Sequence, residues 1–210
     1  LRSMRKLQLI GLLILISGLL SCNKDDPFVC FKGAGKTVKE ERNPGDFTGI
    51  IMRDNLDVIL IPDNEYKIIV EAGKNLQDNI KTSLADGVLD IRNENSCNWG
   101  RSYDKPLRVY VHHIKLDSIE YRSSGNLFSE GTLVNDSIRL DVREGSGTID
   151  LEIQTSKSRV NLHYGTADIH ISGISNVNFI SSSSYGLVDC ENLQTTFTYM
   201  STSSTNDCYI

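Results

Sequence analysis

The chain has 210 residues, a net charge of −5 and hydrophobic residues at 39%. A chain this acidic argues against a coat for nucleic acid, which rewards clustered Lys and Arg. Its length suits one elongated domain, or two small ones sharing a core.

The amino-terminal residues have the layout of an export signal. "MRKLQLIGLLILISGLLSC" places Arg5 and Lys6 before an apolar run from Leu7 to Leu20, short for a membrane span, with a small residue before Cys22. "LLSC" resembles a bacterial lipobox, whose Cys becomes the lipid-modified first residue; its acyl chains would hold a soluble domain on a membrane. The alternative is an ordinary secretory signal with an incidental Cys. On the lipobox reading residues 1–21 are removed, taking Arg2, Arg5 and Lys6 but no acid, so the net charge falls from −5 to −8. "NKDDP" then resembles the surface-export signal of some Gram-negative lipoproteins, although a solvated tether would read the same way. Residues 22–45 are taken as lipidated Cys and tether, and the expected location is the outer membrane, exposed at the cell surface.

From Phe47 the chain alternates at period two. "GIIMRDNLDVILIP" puts Leu56, Val58 and Leu60 on one face; "YKIIVEAG" and "GVLDIRN" repeat the pattern, and "PLRVYVHHI" places Leu107, Val109 and Val111 together. These are short strands separated by Gly, Pro, Asn and Asp. One helical turn is expected at "KNLQDNIKTSL", where Leu76 and Ile80 share a face.

From about residue 121 the chain repeats itself. Gly147-Thr-Ile-Asp150, Gly165-Thr-Ala-Asp168, Gly186-Leu-Val-Asp189 and Ser204-Thr-Asn-Asp207 recur at intervals of 18, 21 and 18, with a weaker copy around Gly125. Between them lie "SIRLDV", "SRVNLHY", "NVNFIS" and "TTFTYM". The predicted fold is all-β: a right-handed parallel β-helix, or β-solenoid, with coils of about 20 residues, two short strands per coil and corners at Gly125, Gly147, Gly165 and Gly186. An antiparallel meander is the structural rival. Stacking the tetrads predicts one interior column of Leu151, Ile169, Cys190 and Cys208 and another of Ile149, Ala167, Val188 and Asn206. The opposite strands would bury Ile138, Leu140 and Val142, then Val160 and Leu162, Val177 and Phe179, and Phe197 and Tyr199. Outside, Asp150, Asp168, Asp189 and Asp207 would form a ladder of like charge. Backbone N–H groups at the corners would relieve it, or a hard cation such as calcium.

"SRVNLHYGTADIHI" gathers His163, Tyr164, Asp168 and His170 around Gly165, yet no nucleophile, base and orienting group fall into a readable order, so these are scaffold residues and no catalytic residue is assigned. Of the remaining cysteines, Cys30 and Cys97 are expected to bridge the amino-terminal segment to the loop "NSCNWGRSYDKP", where Trp99 would pack over the bond. Cys190 and Cys208 are expected as unpaired thiols, because parallel Cβ directions suit a disulfide poorly. His112 and His113 adjoin on a strand and diverge, which opposes a shared metal.

"GDFTGIIMRDNLDVILIPDNEYKIIVEAGKNLQDNIKTSLADGVLDI" resembles the opening of the head GIN domain family of auto-transporter adhesins, and the Gly/Ser-cornered repeats are similar to that family's second half. The likeness runs from Gly45 to Ile210, with a domain placed at 46–210, and is most specific at "VEAGKNLQDNIKTSLADGVLDI". It implies a pectin-lyase-like right-handed β-helix without enzymatic machinery or cofactor, and a role in cell adhesion. Corners such as "SSSSYG" and "MSTSST" depart from the family's usual type. "NDCYI" stops inside a repeat, so something beyond Ile210 is expected to complete it. The leading reading is a non-catalytic surface module that displays polar ladders. Its partners would be the membrane, through the lipid, and a glycan or protein on a host or neighbouring cell; homotypic assembly through its faces is a further option. The alternatives are a carbohydrate-active enzyme on the same scaffold, which needs paired carboxylates or a basic partner, and a structural envelope lipoprotein with no external ligand.

Overall fold

Period-two alternation becomes strand throughout, and Leu56, Val58, Leu60, Leu107, Val109 and Val111 are all buried. The computed structural model describes residues 33–95 and 106–210. Among them fifteen strands form one sheet: β1 (Thr37–Arg42), β2 (Gly49–Asp54), β3 (Asp57–Pro62), β4 (Lys67–Gly73), β5 (Ile80–Ala85), β6 (Val88–Asn93), β7 (Arg108–His113), β8 (Ser118–Ser123), β9 (Leu127–Ser129), β10 (Leu133–Gly145), β11 (Thr148–Leu162), β12 (Asp168–Ser182), β13 (Val188–Asp189), β14 (Leu193–Thr202) and β15 (Cys208–Tyr209). The fold is all-β and the sheet is curled and of mixed direction.

Two parallel rows make up most of it. In one, β6, β2, β8 and the later halves of β10, β11, β12 and β14 lie side by side. In the other, β7, β3, β9, the opening stretches of β11 and β12, β13 and β15 do the same. Antiparallel pairing is confined to β1–β4, β4–β7 and β5–β6. The β5–β6 hairpin closes on Asp86 and Gly87, at φ 51° and 73°, the two left-handed positions that a tight hairpin of this twist requires. These three ladders correct the expectation of parallel strands alone. In β5–β6 the two-residue connection leaves too little chain for a parallel crossover and forces reversal, whereas β1–β4 and β4–β7 bring together strands distant in sequence.

From Leu133 onward the pairing repeats every 20 residues. Leu133 stands beside Ile153, Ile153 beside Gly173 and Gly173 beside Leu193; Leu140, Val160, Ile180 and Met200 make a second such column. Asp136, Ser156, Asn176 and Thr196 fall out of the ladders at the same interval and mark a corner. Each twenty-residue repeat therefore holds three paired stretches where two were expected, because the long strands carry both sides of that corner.

The corner also resets which residues face inward. Ile138, Leu140 and Val142 are buried, as are Val160 and Leu162. In the next coil the buried positions are Asn178, Ile180 and Ser182, so Val177 and Phe179 lie outside the fully buried set, and Phe197 and Tyr199 are 59% and 58% exposed. The expected burial of these four is wrong by one residue, which in a strand exchanges the two faces. Polar groups fill the interior instead: Ser158 Oγ lies 2.8 Å from Ser175 Oγ and donates to Asn178 Oδ1 at 2.8 Å, while Ser175 donates to Val177 O at 3.0 Å. The expected helical turn is a 3-10 turn at Gln77–Asn79, after which Ile80 opens β5 with its side chain in the core.

One buried group has no such partner. His113, at the end of β7, is 2% exposed and neither ring nitrogen makes a hydrogen bond. Burial, reinforced by neighbouring His112, lowers its pKa from 6.5 to about 4. The unfolded chain takes up this proton below pH 6.5 and the folded chain does not, so stability is full above 6.5 and declines as pH falls toward 4. The loss over that window is about 3 kcal/mol. Urea unfolding at the two ends should show it, and His113→Leu should remove most of the difference.

Candidate functional site

The ladder register decides where the singled-out residues stand. Asp150 lies beside His170, His170 beside Asp189 and Asp189 beside Tyr209. Asp168 belongs to a different row, next to Thr148, and accepts Leu187 N–H at 2.9 Å. The four aspartates therefore form no common ladder: the tetrads recur at 18, 21 and 18 residues, whereas these strands pair at offsets of 20, 19 and 20. Like charges alternate with an imidazole, and His170 Nδ1 sits 3.1 Å from Asp189 Oδ2. The Glu191 N–H and His170 hold the Asp189 carboxyl below its ordinary range. Among the described residues no group of three or more His, Cys, Asp or Glu is placed to hold a metal ion.

The corner glycines each lie against a backbone carbonyl of the neighbouring turn, at offsets of 22, 20 and 19 for Gly147, Gly165 and Gly186. A Cβ on Gly125 would lie 1.9 Å from Leu56 O, on Gly147 2.1 Å from Gly125 O, on Gly165 2.4 Å from Gly145 O and on Gly186 1.8 Å from Ala167 O. Gly165 thus sits over Gly145, two residues from its expected partner Gly147. The interior columns shift likewise, into Ile149–Ile169–Val188–Cys208 and Leu151–Ile171. Cys190 and Cys208 are free thiols, and burial pushes the Cys190 thiol up to about 12. His163 Nε2 approaches Asp141 at 3.6 Å, and His112 Nδ1 lies 2.8 Å from Asp63 Oδ2. Cys22, Cys30, Cys97 and Trp99 lie outside the described residues.

What these strands present outward is a feature that the sequence reading placed inside. On β10, β11, β12 and β14 the outward rows are Ser137–Lys157–Val177–Phe197, Arg139–Arg159–Phe179–Tyr199 and Asp141–Asn161–Ser181–Ser201. Phe179 and Tyr199 stack with centroids 5.2 Å apart and planes 13° from parallel. Arg159 lies over the Phe179 ring at 4.9 Å and Lys157 at 5.4 Å. Between the second and third rows runs a groove of ≈240 Å³, with Arg159, Phe179 and Tyr199 on one wall and Asn161, Ser181 and Ser201 on the other. A larger trough of ≈590 Å³ follows the corner at Asp136, Ser156 and Asn176; Ile114, Val134 and Ile174 are exposed along it, Gln154 separates the last two, and no ring lines it.

Charge changes along this face. Toward its amino-terminal end the row Asp90, Glu120 and Asp141 has cations beside each carboxylate: Asp90 with Arg53 and Arg92 at 3.0 and 2.8 Å, Glu120 with Arg122 and Arg143, Asp141 with Arg139. Burial opposes ionisation of Asp141, but Asn161, Arg139 and His163 outweigh it and keep the carboxyl below its ordinary range. Lys157 and Arg159 differ: among the described residues neither side chain has an ion pair or a hydrogen bond, only the Phe179 ring.

Residues 46–210 match the family model described as "Putative auto-transporter adhesin, head GIN domain". The chain belongs to the head GIN domain family. Solved structures resemble this head GIN chain in fold. A putative adhesin from Bacteroides fragilis superposes with a TM-score of 0.76 at 15% identity, over 84% of this chain and 81% of that one. A putative adhesin from Parabacteroides distasonis gives 0.56 at 17%, over 81% and 80%. A protein from the same species described as a putative lipid binding protein gives 0.53 at 13%, over 80% and 79%. No curated protein sequence matches the chain. Membership points to the cell surface; among the described residues no helix is long and apolar enough to cross a membrane.

The register makes a direct prediction about this face. Tyr199→Ala should change stability by less than about 1 kcal/mol, since its ring is mostly in solvent. Ile180→Ala, one column inward and 2% exposed, should cost about 3 kcal/mol. Denaturant midpoints of the two variants give the comparison.

Proposed function

We propose that this head GIN domain is a binding module of the adhesin type that engages its ligand along the groove between Arg159–Phe179–Tyr199 and Asn161–Ser181–Ser201. The observation that carries the reading is the stacked Phe179–Tyr199 pair held outside the core. Apolar surface left in water is unfavourable, and a soluble domain keeps it where a partner covers it. A rigid sheet supports the pair from beneath, so little ordering of the site is needed on binding. The arrangement contains no nucleophile–base pair among the groove residues, and the proposed action is capture without chemistry.

On this reading the two parallel rows are faces of a right-handed β-helix, and the glycines at 125, 147, 165 and 186 are the corners that let successive coils close on one another. Cys22 carries the lipid, the segment from residue 23 links it to the domain, with Thr37–Arg42 already in the sheet as β1, and the domain faces outward from the outer membrane. The lipobox-like "LLSC" and the acidic "NKDDP" support this placement.

The test uses the full chain on an array of glycans and matrix proteins. At least one ligand should be retained and should be lost in Phe179→Ala/Tyr199→Ala with the melting temperature unchanged. No retained ligand, or retention indifferent to that variant, counts against the groove. In cells, Cys22→Ser should move the protein from the membrane to the soluble fraction; continued membrane association would remove the anchor from the account.

A further inference from the structure

The ligand class can be narrowed from charge and shape. We propose that the groove binds an anionic polysaccharide through its uronate carboxylates, a proposal that rests on the binding-module reading above.

Three observations support it. First, Arg159, which lines the groove, and Lys157, one row away beside the same Phe179 ring, are cations of this face without an acid beside them among the described residues, whereas Arg53, Arg92, Arg122 and Arg139 each have one. In a chain of net charge −5, two adjacent unneutralised cations attract a carboxylate, and a guanidinium can hold one through two parallel hydrogen bonds. Second, the groove's polar groups suit a polyhydroxyl chain. Among the described residues the exposed Ser181 and Ser201 hydroxyls make no bond to another side chain, and Asn161 donates to Asp141 at 2.8 Å while its carbonyl oxygen takes no side-chain donor. Because Phe179 and Tyr199 stack face to face, their electropositive ring edges border the groove, where oxygen atoms are favoured. Third, the groove runs along the stacking direction, so its wall repeats at about 4.8 Å per rung. An extended polysaccharide repeats its sugars at a similar step and can meet several rungs in one register. A bilayer surface fits less well, since two cations provide little attraction to anionic lipid.

The probe is polygalacturonate, with its fully methyl-esterified form as the uncharged counterpart. The full chain should bind the acid form at least about tenfold more tightly than the ester, and Lys157→Gln/Arg159→Gln should weaken it about tenfold, as should raised salt. The melting temperature should not move, because both side chains are exposed. Equal binding of acid and ester, lost in Phe179→Ala/Tyr199→Ala, would overturn the anionic class and leave the binding module standing. Capture of phosphatidylglycerol vesicles in place of the polymer would assign the groove to a lipid headgroup. No binding to polygalacturonate overturns the proposal whatever else binds, and an array without any ligand removes the module reading with it.

Discussion

A strand laid parallel to its neighbour gives its backbone N–H and C=O groups to the strands on either side, and a buried group left over would cost free energy. In this chain that requirement is met at a fixed interval: residues twenty apart stand side by side from Leu133 to Thr202. Backbones can stack this closely at the corners only where no Cβ intervenes. Gly165, at φ +110°, and Gly186 lie against the carbonyl oxygens of Gly145 and Ala167. Tyr121 secures the corner between the first coils, donating to Gly125 O at 2.7 Å and accepting from Gly147 N–H at 2.9 Å.

Once the interval is set, side chains acquire their neighbours without further choice. Inward columns carry Leu, Ile and Val through the middle of the sheet and become Ser and Asn toward the carboxyl-terminal repeats, where the Ser158 hydroxyl bonds Ser175 and the Asn178 carbonyl oxygen. Outward columns do the reverse. Paired charges at Asp90, Glu120 and Asp141 give way to Lys157, Arg159, Phe179 and Tyr199. Flat rows of this kind are inexpensive to keep rigid because each side chain is flanked by the one above and below. The features that would recognise a partner and the features that hold the domain together thus come from one repeat, read on opposite faces.

That inversion explains what could be read from the sequence. Strands were legible wherever the interior is aliphatic: Leu56, Val58 and Leu60, Leu107, Val109 and Val111, and Ile138, Leu140 and Val142 all face the core. The rule that apolar residues point inward failed at Phe179 and Tyr199, because their inward neighbours are Asn178 and Thr198. The Gly-x-x-Asp tetrads recur visibly, but the Gly and Asp slide by two residues along alternate corners, so aligning them splits Asp150 from Asp168 and Gly147 from Gly165. Aligning "IRLDV", "SRVNL", "NFISS" and "TYMST" at twenty residues would have recovered the register, at the price of accepting a polar core. The antiparallel β5–β6 hairpin follows from its two-residue connection, a local signal that the repeat obscured, whereas β1–β4 and β4–β7 pair strands far apart in sequence and carry no such signal.

The account stands on the twenty-residue interval, and removing one coil tests it most directly. Deleting residues 158–177 joins Lys157 to Asn178, which occupies the place of Ser158 in the same column. Because each coil contacts mainly its neighbours, the shortened chain should fold and unfold in a single cooperative transition, whereas deleting 158–175 should not. An unfolded or aggregated product from the first deletion, or equal tolerance of both, would contradict the register and the groove built on it.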